Sequence, residues 1–165
     1  VKELKMNKGK YQIIKGDVTN PVGEGVKVIP HIISDVGVCG AGVAKTIVEK
    51  WPDVKLDILS TKGRNGELVL GDCIRSWVEN NRIIIISMIA QKGLKNKDNP
   101  FPIKYAALVD CMRKVLEFVY PNNSYSIHCP KFGSGLAGGD WKFIEKLIQE
   151  IWVNNGIDVT VYEYK

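Results

Sequence analysis

The sequence predicts an α/β domain of three layers, an α/β/α arrangement with helices on both faces of a mixed central sheet. Three observations lead there. Apolar, β-prone runs alternate with segments of helical periodicity along the chain. Two glycine-bearing loops, residues 37–44 and 133–140, each stand between a strand-like run and a helix-like one. One further pair of strand-like runs is joined by the short link Glu79-Asn80-Asn81, which predicts a hairpin and rules out a purely parallel sheet.

Taken in order, residues 11–15 alternate loosely and end at the turn-like Gly16-Asp17 and Asn20-Pro21. Residues 26–33 are mostly apolar, as in a strand covered on both faces. Residues 43–51 read as a helix with Val43, Ile47 and Trp51 on one face, and Pro52 after its end. Residues 67–78 and 82–90 are the two hairpin strands. Asn81 at the turn readily takes positive φ. From Pro102 onward, Ala107, Leu108, Cys111, Met112, Val115, Leu116 and Val119 recur at helical spacing, with Pro121 beyond. Residues 125–130 form a strand aimed into the second glycine loop. Ile144, Leu147, Ile148 and Ile151 mark a last helix stopped by Gly156, and residues 157–164 a closing strand. The Lys-, Asn- and Pro-rich stretch 92–102 is expected to be a mobile surface loop. No internal repeat or linker interrupts the pattern, so the expectation is one domain over residues 1–165, its core about 11–165, and a monomer.

Composition narrows the partners. The 165 residues carry a net charge of +5, which favours anionic ligands in general terms. The basic concentration at Lys92, Lys95, Lys97 and Lys104 reads either as a solvated face or as a contact to substrate or nucleic acid. Four cysteines, Cys39, Cys73, Cys111 and Cys129, lie at wide spacings with no zinc-ligand pattern. Cys73, Cys111 and Cys129 sit in apolar periodic segments and read as buried thiols, which suits an intracellular protein, cytoplasmic or nuclear. The run Ile83-Ile84-Ile85-Ile86 is far short of the roughly 20 residues a bilayer span needs. No metal, cofactor or membrane is expected.

The glycine loops carry the chemistry. Glycine lets a backbone approach a ligand with no Cβ in the way, and a helix start offers unpaired N–H groups and a positive dipole end to an anion. Two such loops predict a diphosphate-bearing ligand gripped from two sides. The competing reading is that the glycines serve close backbone packing alone. The first loop has no GxGxxG in register and no Gly-Lys-Ser/Thr follows, which disfavours nucleoside triphosphate hydrolysis.

Lys15-Gly16-Asp17-Val18-Thr19 after the first strand, the loop 37–44, Gly133-Ser134-Gly135-Leu136-Ala137-Gly138-Gly139-Asp140-Trp141 and the closing Thr160-Val161-Tyr162 occur in an order that resembles the macrodomain family. His31-Ile32-Ile33-Ser34 is similar to the branch with the yeast ADP-ribose-1″-phosphate phosphatase and the human terminal ADP-ribose protein glycohydrolase.

The resemblance implies an ADP-ribose pocket. In it Asp17 accepts from the adenine amino group and the Val18 N–H lies beside the ring. Gly40, Ala41, Gly42 and Val43 wrap the distal ribose and one phosphate, while Gly133, Ser134, Gly135, Leu136 and Ala137 cradle the diphosphate, with the Ser134 hydroxyl as an added donor. For Asp17 the alternative is a turn carboxylate bonded to its own backbone. The human enzyme's lysine and aspartate correspond to Gln91 and Ala137, so its lysine adduct is not expected. His31 is the leading catalytic candidate, as proton donor or water-orienting group, with Ser34 and Asp35 close by. A hydrogen-bonded core histidine is the alternative. His128 reads as structural, Asp140 as the cap of the last helix, and Cys39 as a minor candidate nucleophile.

Three functions follow as expectations. The first is a phosphatase converting ADP-ribose 1″-phosphate to ADP-ribose. The second is a glycohydrolase releasing ADP-ribose from a protein, nucleic acid or small metabolite. The third is a non-catalytic reader or sequestering protein for such nucleotides.

Overall fold

A computed structural model describes residues 7–164. Its strands are β1 (Tyr11–Lys15), β2 (Val26–Ser34), β3 (Cys73–Val78), β4 (Ile83–Gln91), β5 (Tyr125–Pro130) and β6 (Val159–Glu163). They form one mixed sheet in the order β1-β6-β5-β2-β4-β3, parallel throughout except for the β3–β4 hairpin. The helices are α1 (Gly42–Lys50), α2 (Pro52–Asn65), α3 (Tyr105–Val119) and α4 (Trp141–Leu147). A wider turn over Ile148–Trp152 and a tighter one over Val153–Asn155 continue α4 to Gly156, whose φ of 85° ends it.

Strand alternation divides the apolar side chains between two cores. Val28, Ile84, Ile86 and Ile127 face α3 and α4, while Ile29, Ile33, Ile85 and Ile89 face α1 and α2. Each fully buried isoleucine contributes roughly 1.5–3 kcal/mol. The sheet is thereby covered on both sides, which gives the three layers expected.

Two elements depart from the sequence expectation. Pro52 does not close the helical region. It opens α2 at the first helical position, where a missing N–H costs nothing. Residues 67–72 are not strand: Asp72 N–H donates to Val69 O at 3.1 Å and Gly71 takes φ 95°, so β3 begins only at Cys73. The hairpin turn matches, with Glu79, Asn80 and Asn81 all at positive φ. Among the described residues no helix is long and apolar enough to cross a membrane.

The fold opens a crevice at one place. Beyond β2, α1 leaves toward one face, whereas beyond the adjacent β5, α4 leaves toward the other. That divergence is where open α/β sheets take ligands. Pairing between β2 and β5 ends at Val28↔Ile127. Lys27 N–H donates toward β4, to Arg82 O, so by alternation the Pro30 nitrogen faces β5 with no proton to give. The two strands separate from there to their carboxyl ends.

Candidate functional site

A cleft of about 480 Å³ lies at that divergence. Its floor is Ile32, Ile33 and Ser34 from β2 and Gln91 from the end of β4. One wall is Val38 and residues 40–44, the other is residues 130–137, and Leu94 and Lys95 stand at the rim. The register of β2 on β4 shifts between Ile33 and Ser34, which brings Gln91 rather than Ala90 opposite Ser34 at the cleft floor. Gly40, Ala41, Gly42, Val43, Gly133, Ser134, Gly135, Leu136 and Ala137 all line this one cavity. The structure thus brings the two glycine loops together.

The loops present backbone N–H groups by different means. Helix α1 starts at Ala41 as N-cap, with no side-chain cap and no acidic residue in its first turn. Alanine is a poor N-cap, and among the described residues the first-turn N–H groups, at the cleft wall, have no partner. Helix α4 is instead closed by Asp140, whose carboxylate accepts from Lys142 N–H at 3.0 Å. The expectation that both helix starts serve an anion is therefore corrected: the second loop can offer only its own backbone. Among the described residues no acceptor takes the N–H groups of Gly135, Leu136 or Ala137. The Ser134 hydroxyl is engaged within the loop, donating to Lys131 O at 2.8 Å, and is not the free donor anticipated.

The catalytic candidates separate. His31 is fully buried on the α1/α2 face of β2, and its Nε2 is paired with Ser87 Oγ at 2.9 Å. Nδ1 has no partner among the described residues, and burial lowers the imidazole pKa to about 4. His31 does not line the cleft, so the core alternative holds and the proton-donor assignment is corrected. Asp35 also lies outside the lining. Its carboxylate accepts from Gly93 N–H at 2.8 Å and anchors the 92–102 loop. Ser34 alone of the three reaches the cleft, its Oγ accepting from Val36 N–H at 3.2 Å. His128 is structural, with Ser126 and Tyr162 hydroxyls on its two nitrogens. Burial, helped by Lys27, lowers its pKa to about 4. Burial pushes the Cys39 thiol up against a smaller opposing pull from Lys55.

Asp17 and Val18 sit at the carboxyl end of β1, on the same edge of the sheet but outside the cleft lining. Asp17 Oδ1 accepts from Thr19 N–H and Oγ1–H at 2.9 and 2.7 Å, the turn arrangement. Val18 is buried in the α1/α2 core. Sequence reasoning missed Leu94 and the rim position of Lys95. Lys95 belonged to a visible basic cluster, yet only the fold shows which of those lysines meets the cleft.

No family model matches the chain. A protein of unknown function from Bacteroides thetaiotaomicron shares 36% identity and superposes with a TM-score of 0.87, over 94% of this chain and 99% of its own. A macrodomain protein from Streptomyces coelicolor is 29% identical with a TM-score of 0.81, over 94% of this chain and 100% of that one. The chain belongs to the macrodomain family. Thermosipho africanus DarTG, solved in complex with ADP-ribose, shares the fold with a TM-score of 0.75 at 18% identity, over 99% of this macrodomain and 43% of DarTG. Among curated proteins, mouse chromodomain-helicase-DNA-binding protein 1-like is 27% identical over 92% of this macrodomain, which spans only 17% of that protein's length. The ADP-ribose 1″-phosphate phosphatase of Saccharomyces cerevisiae is 21% identical, over 91% of this chain and 96% of the yeast protein.

Proposed function

We propose that the cleft binds ADP-ribose or a phosphorylated derivative such as ADP-ribose 1″-phosphate. One observation carries this reading: an uncapped helix start and a run of unpaired N–H groups face each other across a single cavity. A diphosphate accepts from several N–H groups at once, and the dipole of α1 favours its charge. Lys95 at the rim adds a cation. The fold shared with DarTG supports the choice of nucleotide. A saturating ligand at 100 times its Kd stabilises the native state by about 2.7 kcal/mol. ADP-ribose is therefore expected to raise the thermal unfolding midpoint, and adenosine, which lacks the diphosphate, to raise it far less. Equal shifts from the two would sink the phosphate assignment.

Hydrolysis of the 1″-phosphate is the second reading, supported by the likeness to the yeast phosphatase along nearly its whole length. In this reading the attacking water is held at the cleft floor by Ser34 and Gln91. Gln91 Nε2 donates to Gly93 O at 3.1 Å, and its Oε1 is left to accept from the water. Orientation carries the acceleration, with no proton supplied by His31. The expected outcome is release of inorganic phosphate from ADP-ribose 1″-phosphate, diminished in Gln91→Ala. Saturable binding with no phosphate released overturns this second reading and leaves the first.

A further inference from the structure

A second concavity, about 620 Å³, lies away from the cleft, between α2, α3 and the edge strand β3. Cys73, Arg75 and Lys114 are among its lining residues. Cys73 opens β3 on the sheet face opposite Ile74 and points toward α3, where Cys111 occupies the buried stripe. Its Sγ lies 3.6 Å from Cys111 O, and Cys111 Sγ lies 3.4 Å from Asp72 O and 3.7 Å from Ile89 O. The two thiols are near enough to shift each other's ionisation. Cys73 is half-buried, contrary to the sequence expectation of a buried thiol, whereas Cys111 is fully buried. Thus one sulfur of the pair meets the cavity and the other waits behind it. Among the described residues no third metal-ligating side chain joins them.

We propose that Cys73 and Cys111 form a reversible disulfide by thiol–disulfide exchange with a small-molecule disulfide admitted through this cavity. Cys73 is the attacking group. The Cys111 side chain beside it holds its thiol below the ordinary value, and Lys114 and Arg75 add to this against burial and the Asp72 charge. The neighbouring Cys73, with burial, pushes the Cys111 thiol up. Lys114 is fixed close by, donating to Gly71 O at 2.8 Å and to Asp72 Oδ1 at 2.9 Å. A lowered thiolate beside cations is the reactive partner of such pairs.

The exchange balances in two steps. The Cys73 thiolate attacks one sulfur of the reagent, forming a mixed disulfide and expelling one thiolate. Cys111 then loses its proton to solvent and attacks the Cys73 sulfur, breaking its bond to the reagent and expelling the second thiolate. Two protein thiols are oxidised and one external disulfide is reduced to two thiols. Cys39 has a half-buried thiol pushed up by burial, and Cys129 is fully buried with its thiol pushed up by the same cause, so neither competes.

The test treats the full chain with oxidised glutathione, quenches with acid, alkylates and maps peptides by mass. The expected product is lighter by two hydrogens, joins the Cys73 and Cys111 peptides, and keeps Cys39 and Cys129 alkylatable. Cys111→Ser is expected to stop at a glutathione adduct on Cys73. Cys73→Ser, at a half-buried edge position, is expected to keep its circular dichroism and to form neither adduct nor disulfide. A lasting adduct in the wild type, a cross-link to Cys39 or Cys129, or four alkylatable thiols while the unfolded chain oxidises would each overturn the proposal.

Discussion

The two glycine loops look alike in sequence and behave differently. In the first, Gly37 packs against the α2 side, where an added Cβ would meet Leu68 Cδ1 at 3.0 Å, while Gly40 meets nothing closer than Val38 Cγ1 at 3.6 Å and Gly42 meets nothing within 4 Å. In the second, Gly133, Gly138 and Gly139 would each drive a Cβ to 3.0 Å or less from a neighbour, and only Gly135 faces open space. The first loop ends in an uncapped helix, the second in a capped one. Packing and ligand binding are therefore not rival explanations of a glycine run. In the proposed site the packed glycines hold the loops and the open ones are left for the nucleotide.

The division can be broken at its packed end first. Gly133→Val places a Cβ 2.8 Å from Ile144 Cδ1 and 3.0 Å from Ile103 Cδ1, at φ 81°. Overpacking and left-handed strain together cost roughly 4–5 kcal/mol. Denaturant unfolding is expected to show that loss, and an unchanged midpoint would contradict the packing assignment.

Next in size is the pH response of the histidines behind the cleft. His31 and His128 fold with pKa values lowered from 6.5 to about 4, so the unfolded chain binds more protons. Their stabilisation is full above pH 6.5 and is lost as pH falls toward 4. Between about pH 7 and pH 5 the loss is about 4 kcal/mol for the pair, roughly half from each. His31→Phe is expected to flatten that slope, and a slope unchanged by the substitution would place His31 in solvent contact.

At the open end, Gly135→Val has room for its side chain, which projects into the cleft. Stability is expected to stay within about 0.5 kcal/mol, while ADP-ribose affinity falls about 100-fold, or roughly 2.7 kcal/mol. A binding loss matched by an equal stability loss would blur the distinction between the two glycine classes. The smallest effect belongs to the cap. Asp140→Ala is expected to cost about 1 kcal/mol of stability with ADP-ribose affinity unchanged, and weakened binding would implicate the start of α4 after all.

Much of this was legible in the sequence. Period-two and helical spacing gave the layers, the hairpin and the loop positions, and Asp140 could be read as a cap. Helix α2 was not, because it buries only Val54 and Ile58 and leaves Leu56 and Leu59 exposed, so its apolar stripe is thin. Its proline also reads equally as a stop or a start. His31 was misread because a strand residue's environment depends on which layer covers its face. Nothing local distinguishes His31, under α1 and α2, from Ile32 at the cleft floor one residue later. Loop glycines share the difficulty: Gly133 and Gly139 pack on Ile103, and Gly37 on Leu68, each far away in sequence.

The most direct test of the account is calorimetric titration of ADP-ribose into the wild type and Gly135→Val side by side. The account predicts saturable one-to-one binding in the micromolar range for the wild type, and heats too weak to fit for a variant that unfolds at the same midpoint. No binding by the wild type, or equal binding by both, would contradict the assignment of the two loops as the walls of a nucleotide site.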